Sequence, residues 1–289
     1  MHPRNVERAK RRAARFAMAP EGRTCLNRNM GPWTAIILAG ERPGEGGFAA
    51  RYGVPAKALI PIGGEAMLAR VARTLLACPS VERIVVLAQD ADTLLAGELA
   101  WMAGDPRIAT ADAGEGISVS VDAITGSAVA PYPVVVTTAD HPLLEPHMVE
   151  RFIAETGGAD GAFAMVDRWT VEGLHPETRR TWMKFADGHF SGANLFALLT
   201  PASRRGTAFW AKVEKDRKRA LKLIAAFGPV ILLGAVTRTL SLEGAAERAG
   251  RKFGFRLKAV RLPYGEAAID VDKPADVELA ERILAARAA

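Results

Sequence analysis

Residues 133–140 read PVVVTTAD, a run of strand-forming residues closed by an aspartate, and no other feature of the chain restricts its possible folds so tightly. A continuous β-branched run without polar alternation is a strand buried on both faces. Such strands belong to parallel sheets covered by helices on either side. The carboxylate that ends the run falls where parallel sheets bind their ligands, just past the carboxyl ends of the strands.

The same pattern recurs along the chain. WTAIIL (33–38) and RIVVLA (83–88) are apolar runs of strand length, and between them residues 66–77 place Met67, Val71 and Leu75 at helical spacing, which completes a βαβ unit. Residues 92–102 and 118–125 read as helices, 107–110 as a short strand, 146–155 as a helix and 161–166 as a strand. A right-handed alternation of this kind predicts a three-layer, Rossmann-like, mostly parallel α/β sheet with helices on both faces. Beyond residue 167 the alternation weakens into short strands at 182–185 and 194–199 and a helical region over 202–240 broken at Gly228 and Pro229. Residues 167–254 are accordingly expected to form a helical, acceptor-side insertion. A strand at 257–262, an extended segment at 268–271 and a helix over 275–286 close the chain. Its 289 residues suit one domain, expected to span 30–289.

The formal charge of +6 invites a nucleic-acid reading, but its distribution argues against one. Residues 1–29 carry eight basic and two acidic groups; removing them from the 38 basic and 32 acidic residues leaves 30 of each. The domain is therefore neutral and the excess resides in an arm without a secretory apolar segment, expected to be disordered. A true start at Met30 or a solvated extension competes with a functional tail as its explanation. Cys25 and Cys78 show no metal or redox spacing, which fits a reducing cytoplasm, and the five histidines form no i, i+4 ligand pair.

Three stretches carry chemistry. LAGERPGEGG (38–47) follows the first strand and precedes Lys57 in VPAKALIPIGG. Gly40 permits close backbone approach to a phosphate, Arg42 can clamp a triphosphate and Lys57 can reach its α-phosphate, with Leu38, Ala39 and Glu41 completing the loop. A loose dinucleotide fingerprint at Gly44, Gly46 and Ala49 lies too far from its strand to count. In TTADHPLL (137–144), Asp140 after a buried strand calls for a cation or, alternatively, serves as a helix cap. In AIDVDKPAD (268–276), Asp270 and Asp272 alternate toward one face of an extended segment; one of them can complete a metal site, while Asp272 is also suited to cap the helix opened by Pro274.

The order of LAGER with PAKAL, then TTADHPLL, then IDVDKPAD resembles the MobA-like nucleoside-triphosphate transferases, a family with a GT-A type fold. The similarity runs from about residue 34 to 286 and is weak between 167 and 254. It implies a nucleotidyltransferase that moves a nucleoside monophosphate from a triphosphate to a small, phosphate-bearing acceptor and releases pyrophosphate. It further implies a magnesium ion at Asp140 with Asp270 or Asp272, phosphate contacts from Arg42 and Lys57, and base contacts from the GEGISVS loop at Gly116, Ser118 and Ser120. Glu41 stands where the family's second glycine usually does.

The acceptor side is read from chemistry alone. Arg179, Arg180 and Lys184, with Ser191 and Asn194, offer charge and amide donors for a phosphate or carboxylate, although solvated strand charges would look the same. Residues 212–240 join a basic helix to an apolar stretch too short to span a bilayer; core packing, a homodimer contact or a peripheral membrane contact would each bury it. Two other functions share these motifs: a GT-A type glycosyltransferase using Asp270, Val271 and Asp272 as a metal motif, and a non-catalytic nucleotide-binding or membrane-associated protein.

Overall fold

The structure, a computed structural model, describes residues 31–40, 46–114, 116–215 and 239–288. The basic arm, Glu41, Arg42 and most of the apolar 212–240 stretch lie outside the described residues. Strand β1 (Trp33–Leu38) is buried along its length, as WTAIIL requires. After it the chain forms helix α1 (Gly46–Ala50), a 3-10 turn at Lys57–Leu59, the short strands β2 (Pro61–Ile62) and β3 (Glu65–Ala66), and helix α2 (Met67–Leu76). Strand β4 (Val81–Ala88) returns beside β1 in parallel, closing the expected βαβ unit.

The helix expected over 92–102 is broken into α3 (Ala91–Leu94), a 3-10 turn at Gly97–Leu99 and α4 (Ala100–Gly104). Gly97, at φ 61°, adopts a conformation that an α-helix interior does not contain, and this interrupts the run. Next come β5 (Ile108–Asp112), α5 (Ile117–Ile124), β6 (Val134–Thr138), α6 (Pro146–Glu155), β7 (Gly161–Asp167) and α7 (Arg168–Leu174). The predicted strand at 194–199 is the end of an eleven-residue strand, β9 (Gly188–Leu198), preceded by β8 (Met183–Phe185). Its first half, GHFSGAN, lacks the apolar run that marks a buried strand. Helix α8 (Arg204–Lys215), helix α9 (Leu242–Phe253), strand β10 (Leu257–Leu262), a 3-10 turn at Gly265–Ala268 and helix α10 (Pro274–Ala288) complete the order.

The main sheet runs β10-β7-β9-β6-β1-β4-β5, with β8 paired to β9. All pairings among β1, β4, β5 and β6 are parallel, as is β7 with β10, whereas β9 runs antiparallel between β6 and β7. The sheet is therefore mostly parallel, and the carboxyl ends of β1, β4, β5, β6, β7 and β10 share one edge.

Two apolar clusters fix that edge. Ile36, Val85, Leu87, Val134 and Val136 pack against Val121 of α5. Ile60 and Ile62, Met67, Leu143, Ile269, Val271 and Ile283 form a second cluster. Each such side chain contributes roughly 1.5–3 kcal/mol on burial. The second cluster draws the turn after the phosphate loop, the segment after β6 and the start of the final helix into one neighbourhood.

Candidate active site

The backbone ladder extends one residue past the central strands. The Ala39 amide donates to the Leu87 carbonyl and the Ala139 amide to the Leu38 carbonyl, both at 2.9 Å. Gly40 and Asp140 are thus the first residues of their strands released from the sheet, side by side at its carboxyl edge. Gln89 occupies the matching place after β4: a Cβ added at Gly40 would come within 2.8 Å of its Oε1. Sequence reading passed over Gln89, although the rule that selects Gly40 and Asp140 also selects the first polar residue after RIVVLA.

Lys57 closes this edge. Its Nζ donates to Asp140 Oδ2 and to Asp272 Oδ1, each at 2.5 Å. Burial works to lower its pKa, but the two carboxylates outweigh that penalty and hold it above the ordinary lysine value, so the ammonium stays charged. The lysine is held by its neighbours, since Ala58 and Ile60 are buried immediately after it and Ile60 packs against Val271.

The closing segment departs from the expected extended strand. The 3-10 turn at Gly265–Ala268 precedes it, and the Val271 amide donates to the Asp140 carbonyl at 2.9 Å. Asp270 and Asp272 consequently serve different partners. Asp272, with 64% of its side chain exposed, meets Lys57. Asp270 is drawn to Arg180 Nη1 and to Asn194 Nδ2, the latter at 3.0 Å, while Arg180 Nη2 donates to the Asp270 carbonyl at 2.9 Å. Burial pushes the Asp270 carboxyl above its ordinary value, with Arg180 pulling against it.

Capping of the last helix falls to Asp276, not to Asp272. Its Oδ2 accepts from the Asp272 and Lys273 amides at 3.1 and 3.2 Å, the reaching-back half of a capping box.

His141 is buried beside Asp140. Burial depresses its pKa against the opposing pull of Asp270 and Asp140, so it is a neutral neighbour.

The loop after β5 joins the same edge. Ser120 Oγ accepts from the Gly114 amide and donates to the Gly116 carbonyl, both at 2.8 Å, and so ties the loop to the first turn of α5. Ser118 and Ser120 are both buried, which leaves Gly116 and the helix start to face the edge. On the acceptor side Arg179 and Lys184 are exposed, while Ser191 is buried in the ladder opposite Val166, near the carboxyl end of β7.

Among the described residues no group of three or more His, Cys, Asp or Glu side chains converges into a metal cage. The donor set nevertheless suits magnesium. Asp140 Oδ1 is buried without a hydrogen-bond partner, and Asp272 presents an exposed carboxylate nearby. Magnesium is commonly held by one or two carboxylates with the remaining positions left to phosphates and water.

A cavity of about 660 Å³ opens beside the loop that follows Asp140. Its Arg70, Arg73 and Arg287 are balanced by Glu65, Glu145 and Glu281, and several of these pair with one another, so it offers no net field to an anionic ligand.

A mostly parallel sheet with a glycine turn, a lysine and two carboxylates at its carboxyl edge defines an α/β protein of the Rossmann-like class. The model of the MobA-like NTP transferase domain matches residues 35–210, and the chain belongs to that family. Its reaction class is nucleotidyl transfer.

Among solved structures, a hypothetical transferase from Thermus thermophilus is 28% identical with a TM-score of 0.71, covering 86% of this chain and 100% of its own. A CMP:2-keto-3-deoxy-manno-octonic acid synthetase complexed with CTP shares the fold at 13% identity and a TM-score of 0.57, over 89% of this chain and 100% of its own. So does a 4-diphosphocytidyl-2C-methyl-D-erythritol synthase from Anaerococcus prevotii, at 13% identity and 0.52, over 88% and 99%. No curated protein matches the chain.

Proposed function

We propose that the protein transfers a nucleoside monophosphate from a nucleoside triphosphate to a small, phosphate-bearing acceptor and releases pyrophosphate. The observation that carries this reading is the convergence of Lys57, Asp140 and Asp272 beside Gly40 at the sheet's ligand edge. Such a transfer asks little covalent chemistry of a protein: it needs a phosphate cradle, a cation at the α-phosphoryl group and carboxylates for a metal ion.

Gly40 and the start of the loop admit the triphosphate backbone to backbone. Asp140 and Asp272 are the carboxylates we assign to magnesium, and Asp270 is left out because Arg180 and Asn194 occupy it. When bound, that ion neutralises phosphate charge and fixes the triphosphate's geometry. Lys57, released from one carboxylate, is long enough to follow negative charge as it develops on the phosphoryl oxygens. Gly116 and the first turn of α5 are assigned to the base, and Arg42 to the triphosphate. Exposed Arg179 and Lys184 are offered to an anionic acceptor.

The division of labour between Asp270 and Asp272 weighs against a glycosyltransferase metal motif, which needs both carboxylates on one free face. A thermal-shift screen of ATP, CTP, GTP and UTP with magnesium identifies the base by a raised midpoint. Pyrophosphate release across phosphorylated sugars, polyols and cofactors then identifies the acceptor. Full release by Asp140→Asn with any active pair would overturn the assignment.

A further inference from the structure

Asn194 is the one non-glycine residue with positive φ among the described residues, at 48°. It sits where β9 and β7 lose register: Phe163 pairs with Phe196 but Met165 pairs with Gly192, so β9 uses four steps where β7 uses two. A bulge with a left-handed residue in a central strand is retained where it re-aims a side chain, and asparagine is among the few residue types that tolerate that conformation. Here the carboxamide it aims lands on Asp270 Oδ2 at 3.0 Å.

Arg180 meets the same carboxylate at its other oxygen, Oδ1. Its side chain is 8% exposed. It donates to the Asp270 side chain and carbonyl, its Nε reaches Thr178 Oγ1 at 3.3 Å, and Nη2 lies 3.5 Å from Asp276 Oδ1. Asp276 in turn accepts from the amides of Asp272 and Lys273. Arg180 and Asn194 therefore anchor Asp270 directly, and Arg180 also approaches the Asp276 carboxylate that holds the Asp272 and Lys273 amides; the Val271 amide, the Asp272 carboxylate and the Lys273 carbonyl have other partners.

We propose that Arg180 and Asn194 are positioning residues: together they clamp Asp270 and hold the closing segment so that Asp272 faces Asp140 across the metal position. The inference rests on the assignment of Asp140 and Asp272 to the metal. It gives residues 180–194 a task besides acceptor binding, because Arg180 precedes β8 and Asn194 lies in β9 while the segment they hold follows β10. A guanidinium that grips a side chain and a carbonyl at once fixes a backbone in a way that a lysine does not.

The test compares wild type with Arg180→Lys, Asn194→Gly and Asp140→Asn. Asn194→Gly keeps the backbone conformation, so it reports the lost carboxamide even if Arg180→Lys folds poorly. Mn²⁺ in complex with ATP, CTP, GTP or UTP in turn is titrated by water-proton relaxation, and binding of the same triphosphates in EDTA is followed by thermal shift. Amide exchange is measured at residues 271–273 in metal-free protein.

Both positioning variants are expected to weaken Mn²⁺ by about 10-fold, in the range of other groups that orient metal ligands. Triphosphate binding in EDTA should be unaltered, and the three amides should exchange faster. Wild-type Mn²⁺ affinity in both variants, alongside its loss in Asp140→Asn, overturns the proposal. If Asp140→Asn retains Mn²⁺, the metal assignment has failed instead, and the exchange rates decide: acceleration upholds the clamp and unchanged rates reject it.

Discussion

Lys57 and Asp140 stand 83 residues apart in sequence, yet the ammonium of one lies 2.5 Å from the carboxylate of the other, with Asp272 at the same distance. The lysine thus acts as an internal counterion for two carboxylates that would otherwise repel. Replacing it with methionine removes that counterion. Lys57→Met is expected to bind Mn²⁺ more tightly than wild type in the absence of nucleotide, while pyrophosphate release falls by about 100-fold or more for want of a cation at the phosphoryl group. Relaxation titration and a release assay check the two halves separately.

Asp272 is exposed and Asp270 is not, so their conservative variants should behave differently. Asp272→Asn is expected to raise the Mg²⁺ concentration for half-maximal activity by roughly 10-fold, leaving triphosphate binding in EDTA intact. An unchanged magnesium requirement would remove Asp272 from the metal site.

Ser120 joins Gly114 to Gly116 through a single hydroxyl. Ser120→Ala deletes both bonds and loosens the loop assigned to the base. Steady-state kinetics should show the triphosphate KM rising several-fold with kcat nearly unchanged, the signature of lost uniform binding.

At the opposite edge of the sheet, Asp160 accepts from the Arg256 amide at 2.8 Å and from its guanidinium and Thr200 Oγ1. Hydrogen bonding from Arg256 holds its carboxyl well below the ordinary value. The stability it supplies is complete above the unfolded value near 3.9 and is lost as pH falls toward the folded one. Asp160→Asn should cost about 1–2 kcal/mol at pH 7, discounted because Arg256 is largely solvated, and progressively less in acid. Urea denaturation at pH 7 and pH 3 measures the difference.

Cys78 is buried in the turn after α2, and burial pushes its thiol up to about 12. Only about one molecule in 10⁴ carries the thiolate at pH 8. Peptide mapping after iodoacetamide should find Cys78 unmodified in native protein and alkylated in urea.

The parallel core was legible because its strands are unbroken apolar runs: WTAIIL and PVVVTT delimit β1 and β6 to within a residue, and the rule of carboxyl ends then placed Gly40 and Asp140 together. Helix α6 matched its prediction at both ends. Strand β9 was legible only in part, since its leading half alternates small and polar residues and bends at Asn194, a conformation with no signature in residue order. The separate fates of Asp270 and Asp272 were hidden for a related reason. Alternation predicts a shared face only in a regular strand, and the turn at Gly265–Ala268 with the Val271 bond to Asp140 is a tertiary arrangement. Asp276 carries no capping signature in the sequence because the amides it accepts from, those of Asp272 and Lys273, lie upstream of Pro274, which starts the helix.

The apolar cluster that unites Ile60 and Ile62 with Val271 and Ile283 has a consequence for biosynthesis. A chain emerging from the ribosome completes the central strands, the glycine turn, Lys57 and Asp140 long before it makes residues 270–283. Through most of translation it holds a lysine and one carboxylate without the third member or the hydrophobic wall behind them. The proposed site is sealed only once residues 270–283 are made, so a product truncated after β10 retains the sheet's sequence and loses the site.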